Sequence, residues 1–213
     1  MESSLFQTIS LLFVGWLLGL IGPIVTDAIK RRRENATGRR AILAELHDTA
    51  FKVLTAAYAV DLYRGSLTHK SLKNYLELAA AFDKTSDLLR FTEILERMHG
   101  YSEEQLATFT RAAKSEPGRG AVLQKYAIPL LDSRVSALWT FETTFTRELL
   151  DIRVGLDLLN DIVDRSRKYA DLTFQELSQF NRLAANKNID ESYELYGERA
   201  LKIVKQVSAL MGR

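Results

Sequence analysis

Residues 43–60 read Leu43-Ala44-Glu45-Leu46-His47-Asp48-Thr49-Ala50-Phe51-Lys52-Val53-Leu54-Thr55-Ala56-Ala57-Tyr58-Ala59-Val60. Within them Leu43, Leu46, Ala50, Val53, Ala57 and Val60 recur at steps of three and four, which aligns them as a narrow seam on one face of an α-helix. A strand would alternate apolar and polar residues with period two, and that alternation is absent from the chain. The helical spacing returns in Leu138, Phe145, Leu149, Ile152, Leu156, Leu159 and Val163, and again in Tyr193, Tyr196, Ala200, Ile203, Val207 and Leu210. Only three prolines, Pro23, Pro117 and Pro129, stand in 213 residues. The fold class is all-α, and residues 41–213, enough for one core, are expected to form an antiparallel bundle of the four-helix type.

The helix ends follow from local chemistry. The first seam should close near Arg64-Gly65, and a second helical stretch should run from about Lys70 to His99, capped by Gly100. Ser102-Glu103-Glu104-Gln105 reads as a capping box that opens a short helix to about Lys114, and Glu116-Pro117-Gly118-Arg119-Gly120 reads as a loop. The longest helix is expected to start between Ala121 and Pro129 and to continue to Tyr169, with Glu142 interrupting its register. A second capping box, Thr173-Phe174-Gln175-Glu176, precedes a break at Asn186-Lys187-Asn188 and the last helix.

Upstream of the seam, Leu5 to Ile29 is almost wholly apolar, and Ile9 to Val25 holds 17 residues without a charge. As a helix that run is roughly 25 Å long, and the wider stretch about 37 Å, against a hydrocarbon layer of about 30 Å. Residues 1–29 are therefore expected to be a transmembrane helix. Met1-Glu2-Ser3-Ser4 lacks the basic charge that opens a cleaved signal peptide. Basic residues stay on the cytoplasmic side, and Lys30, Arg31, Arg32, Arg33, Arg39 and Arg40 all follow the run, so the N-terminus should face outward and the bundle the cytoplasm. Gly15, Gly19 and Gly22 share a face with Thr8 and Thr26, and Gly15-Trp16-Leu17-Leu18-Gly19 is a G-x-x-x-G that would let two helices pack closely. Pro23 should kink the helix.

Residues 30–40 form a collar with six cations and one carboxylate, whereas the whole chain has a net charge of only +2. The basic character thus belongs to the collar, where each cation near an anionic lipid surface is worth about 1 kcal/mol. The near-neutral remainder lacks the broad basic face that phosphate backbones require, which disfavours nucleic acid as a partner. The absence of cysteine agrees with a reducing compartment.

Catalytic signatures are sparse. Arg64-Gly65-Ser66-Leu67-Thr68-His69 fits the R-x(4–6)-H spacing of HEPN ribonucleases, as does Arg40 to His47. A chain with 18 arginines and three histidines meets that spacing by chance, and Gly65 and Ala41 stand where such enzymes carry a polar residue after the arginine. Glu96-Arg97-Met98-His99 is one E-x-x-H, half of what a di-iron bundle uses, and no second copy occurs. Neither a metal nor a cofactor is expected. Glu142, between Leu138 and Phe145 on the apolar seam, would need a partner or a raised pKa if buried, and neither if the helix end there is exposed.

The stretch Gly15-Trp16-Leu17-Leu18-Gly19-Leu20-Ile21-Gly22-Pro23 with Asp27, Lys30-Arg31-Arg32-Arg33-Glu34 and Ala41-Ile42-Leu43-Ala44-Glu45-Leu46 resembles the start of uncharacterised bacterial single-span inner-membrane proteins with a cytoplasmic helical domain. In plan the chain is also similar to the membrane-anchored accessory protein of type VI-B CRISPR systems, a helical, oligomeric, pore-like protein. These resemblances imply a bacterial inner-membrane location and a setting in antiphage defence. The expected function is a membrane-tethered, homo-oligomeric bundle that binds a cytoplasmic protein partner. A ribonuclease and a pore are the alternatives.

Overall fold

The structure, a computed structural model, describes residues 2–82, 85–115, 123–176 and 178–212, without the side chains of 2–10, 12, 14, 15, 17, 18, 20–24 and 31. It divides into two compact units, Met1–Ile42 and Leu43–Arg213. Its helices are α1 (Glu2–Arg64), α2 (His69–Ala79), α3 (Ser86–His99), α4 (Glu103–Ala113), α5 (Pro129–Arg134), α6 (Thr143–Thr173) and α7 (Gln179–Met211), with a 3₁₀ turn at Val135–Thr140 between α5 and α6. No strand occurs among the described residues.

The first unit corrects one expectation. Among the described residues no helix is long and apolar enough to cross a membrane, so the transmembrane helix expected over 1–29 is not supported. The apolar run is no element of its own: it belongs to the 63-residue helix α1, which goes on through Asp27, Lys30, Arg32, Arg33 and Glu34. Most of the side chains that made the run look uninterrupted lie outside the described residues, Gly15 and Gly22 among them.

In the second unit the first seam is present and wider than its spacing implied. Leu46, Ala50, Val53, Ala57 and Val60 are buried, and Leu54 joins them, whereas Leu43 is half-buried. Gly65 ends α1 with φ +68°, the left-handed conformation that a residue without Cβ adopts at no steric cost.

The expected stretch from Lys70 to His99 is two helices. Thr85 accepts a hydrogen bond from the Leu88 amide at 3.3 Å and starts α3 anew. Phe82, between the two, remains buried in the turn. Ser102 and Gln105 form the expected capping box of α4, and Gly100 caps α3. The expected loop at 116–120 lies outside the described residues.

Where one long helix was expected from about Ala121, the chain breaks at Phe141 and restarts. Glu142 is exposed at the N-cap position of α6. Leu138 is buried in the 3₁₀ turn and Phe145 in α6, so the seam between them is not a helical one and the Glu142 carboxylate needs no buried partner. Thr146 ties the junction by donating to the Leu138 carbonyl at 2.9 Å.

Helices α6 and α7 make the main hairpin of the bundle, joined by a short turn. The expected capping box at 173–176 instead ends α6, and Ser178 caps α7 by accepting from the Asn181 amide at 3.3 Å. Asn186-Lys187-Asn188 lies inside an unbroken α7, where Ala185 and Ile189 keep the buried side continuous. Two weak helix formers within one turn, Asn186 and Asn188, were outweighed by the burial of Ala185 and Ile189 beside them.

The segment 123–128 is held without helical bonds of its own. Asn160 of α6 accepts from the Tyr126 amide and donates to the Tyr126 carbonyl, both at 2.9 Å. The Tyr126 hydroxyl donates to the Lys52 carbonyl of α1 at 3.2 Å. Just beyond it, the Glu45 carboxylate accepts from the amides of Leu130 and Leu131 at 2.8 and 2.9 Å. These amides open α5, whose own N-cap residue, Ile128, has no side-chain oxygen to offer. A negative charge there also suits the positive end of the helix.

Candidate functional site

Three kinds of candidate were read from the sequence: a charged collar, a face of small residues at Gly15, Gly19 and Gly22, and an arginine–histidine pair. In the first unit Lys30, Arg32, Arg33, Arg39 and Arg40 are all exposed, while the Arg31 side chain is outside the described residues. On the preceding turns Leu11, Phe13 and Trp16 are 73, 58 and 63 % exposed, and Val25 and Ile29 about half exposed. The rings of Phe13 and Trp16 approach to 6.0 Å. Large apolar side chains laid open on a helix that then becomes basic have the composition of a lipid-binding segment. Gly19 has open space around it: a Cβ placed there would meet nothing within 4 Å.

Arg64 and His69 are placed in different surroundings. The Arg64 guanidinium donates to Asp190 at 3.3 Å and to Glu194 at 3.0 Å, both on α7. The His69 ring lies edge-on to His99 at 5.5 Å, with Nε2 4.0 Å from the Glu103 carboxylate. No hydrogen bond or ion pair joins Arg64 to His69 among the described residues. An arginine flanked by two carboxylates is poorly disposed to receive a phosphodiester, because the anion would have to displace both. Arg40 is exposed in the collar, and His47 packs against Phe82 with 5.1 Å between ring centres. Among the described residues no three His, Cys, Asp or Glu side chains converge as metal ligands.

Buried phenols are the most perturbed titratable groups. The Tyr75 hydroxyl donates to Asp61 at 2.7 Å. Burial, and next the Asp61 charge, push its pKa far above the ordinary 10.0. Tyr196, fully buried, is raised by burial and then by Tyr126, yet its hydroxyl completes no hydrogen bond of ordinary geometry. It borders a cavity of about 270 Å³ walled by Ala56, Ala59, Leu123 and Tyr126.

The surface holds further aromatic residues. Trp139 is 78 % exposed in the 3₁₀ turn, with Leu130 on α5 45 % exposed, and Phe174 and Phe180 flank the α6–α7 turn at 84 and 79 %. Trp139 and Phe174 fall off the three-and-four seams, whereas Phe180 keeps the step of three with Leu183 that the spacing offers and is exposed all the same. Compared with known proteins, the chain matches no family model, no curated protein and no solved structure.

Proposed function

We propose that this chain is a membrane-associated helical bundle that self-associates and works by binding other proteins. The observation that carries the reading is the run of exposed Leu11, Phe13 and Trp16 on α1, followed by the exposed cations of residues 30–40. Water is a poor environment for that apolar surface, and a lipid surface or a second copy relieves it. The collar decides for an anionic lipid surface as the first partner, and the cytoplasmic leaflet is the one its charge fits.

Flotation of the full chain with lipid vesicles tests this. Binding to vesicles containing phosphatidylserine is expected to exceed binding to neutral vesicles and to fall with salt. Replacing Lys30, Arg32, Arg33, Arg39 and Arg40 by Gln should weaken it by up to several thousandfold, at about 1 kcal/mol per cation. A chain that stays unfloated with both vesicle types ends the reading.

Self-association is tested separately by native mass in detergent. The parent chain should be an oligomer, and Gly15→Leu with Gly19→Leu should lower the mass if the small-residue face of α1 is the contact. An oligomer untouched by both substitutions places the contact elsewhere.

A further inference from the structure

Helix α6 leaves one apolar ridge open. Leu150, Val154 and Leu158 follow one another at four-residue steps and are 37, 54 and 40 % exposed, on a helix whose two flanks are occupied. On one flank Gly155 meets α7, where an added Cβ would lie 3.1 Å from Cγ1 of Ile203. On the other, Arg153 donates to Asp132 at 2.7 Å, and Asn160 holds both backbone groups of Tyr126. Rows of residues four apart are the ridges with which helices pack against other helices, and this one faces outward.

The charges around the ridge say what could cover it. At about 100° of turn per residue, the charged residues of α6 within about 60° of Val154 are Arg147, Asp151, Asp157, Asp161, Arg165 and Lys168, all exposed. Three cations and three carboxylates leave no net charge, so the face does not repel a copy of itself. Its order is also symmetric: Leu150 and Leu158 stand four residues before and after Val154, and Arg147 and Asp161 seven before and after. A two-fold axis at Val154 that lays a second α6 antiparallel on the first sets Leu150 level with Leu158 of the second copy. The same axis sets Arg147 level with Asp161 of the second copy, an unlike pair at each end of a contact about 21 Å long. Asp151 and Asp157, three residues to either side, share a level as well, but they point about 60° to opposite sides of Val154 and fall on opposite margins. Exposed ion pairs of this kind set orientation more than they add affinity. A contact of this size belongs at the low end of specific interfaces, which makes the dimer weak and concentration-dependent.

We infer that two copies of the bundle meet through the open face of α6, antiparallel about Val154. This rests on the self-association proposed above and assigns it a contact of its own within residues 43–213, apart from the small-residue face of α1.

The chain has no cysteine, so one introduced thiol reports on one position. Under mild oxidation of the full-length chain in detergent, Val154→Cys should form a covalent dimer several-fold faster than Asp171→Cys, which is exposed on α6 but off the ridge. Leu150→Cys mixed with Leu158→Cys should cross-link several-fold more than either variant alone. In the Val154→Cys chain, Arg147→Asp should slow cross-linking several-fold by setting like charges level, and Asp161→Arg added to it should restore the rate, with circular dichroism unchanged throughout. If the parent chain is an oligomer but Val154→Cys cross-links no faster than Asp171→Cys, this inference is wrong and self-association through another contact stands. A parent chain that stays monomeric at every concentration defeats both. Leu150→Cys cross-linking with itself faster than with Leu158→Cys overturns the antiparallel pairing.

Discussion

Raising the pH from about 10 to 12 is expected to unfold the bundle, at a slope set by its buried tyrosines. Tyr75 and Tyr196 are fully buried, and both have pKa values raised far above 10.0, first by burial. The sign follows from proton counting. Below the ordinary pKa both folded and unfolded chains keep the phenol protons, and nothing is lost. Above it the unfolded chain releases them and the folded chain does not, so stability falls as pH rises. Two such groups cost up to about 3 kcal/mol per pH unit, or about 5 kcal/mol across the interval, against a total stability of about 5–15 kcal/mol for an ordinary domain. Tyr58, Tyr126 and Tyr193 are raised in the same direction by burial and steepen the loss. Urea midpoints recorded across this range, with tyrosinate absorbance read in parallel, check the expectation. Tyr75→Phe should remove about half of the slope due to the two fully buried groups, and a slope unaltered by that substitution would contradict it.

The second large effect is expected at Gly155. It faces α7 so closely that an added Cβ would lie 3.1 Å from Cγ1 of Ile203. Gly155→Leu forces a whole side chain into that contact and should cost about 1–3 kcal/mol by overpacking, a fall in Tm of roughly 3–10 °C for a chain of this size. Gly155→Ala is the informative companion. Its single methyl asks Ile203 to give by a few tenths of an ångström, while replacing glycine inside a helix returns up to about 1 kcal/mol of helix propensity. The alanine variant should therefore melt near the parent. Equal losses in both variants would show that the helix contact cannot adjust at all.

Much of the bundle could be read in advance because its core residues obey one period. Leu149, Ile152, Leu156, Leu159 and Val163 are all buried, as are Tyr196, Ala200, Ile203, Val207 and Leu210. Errors concentrated at the ends of helices, where one side chain chooses between continuing and capping. Thr85 split a stretch that apolar spacing had joined, and Ser178, not Thr173, began α7. The register drawn through Leu138, Glu142 and Phe145 failed for the same reason, since one helical wheel does not run from 138 to 145, while Glu142 itself is exposed at a helix end. Glu45 was missed because its partners lie 85 and 86 residues away, a distance over which no local pattern speaks. The apolar run near the N-terminus met a different limit: it runs without a break into the charged turns of α1, and among the described residues no helix is long and apolar enough to cross a membrane.

The Glu45 carboxylate also orders events in time. Helix α5 has six residues, far short of the length at which a helix persists by itself in water. Its opening amides find their acceptor only after more than eighty residues of chain have been looped back onto α1, a closure that is paid for late in folding. The amides of Leu130 and Leu131 should consequently gain exchange protection only together with that long-range closure, which makes them reporters of the moment at which α1 and α5 meet.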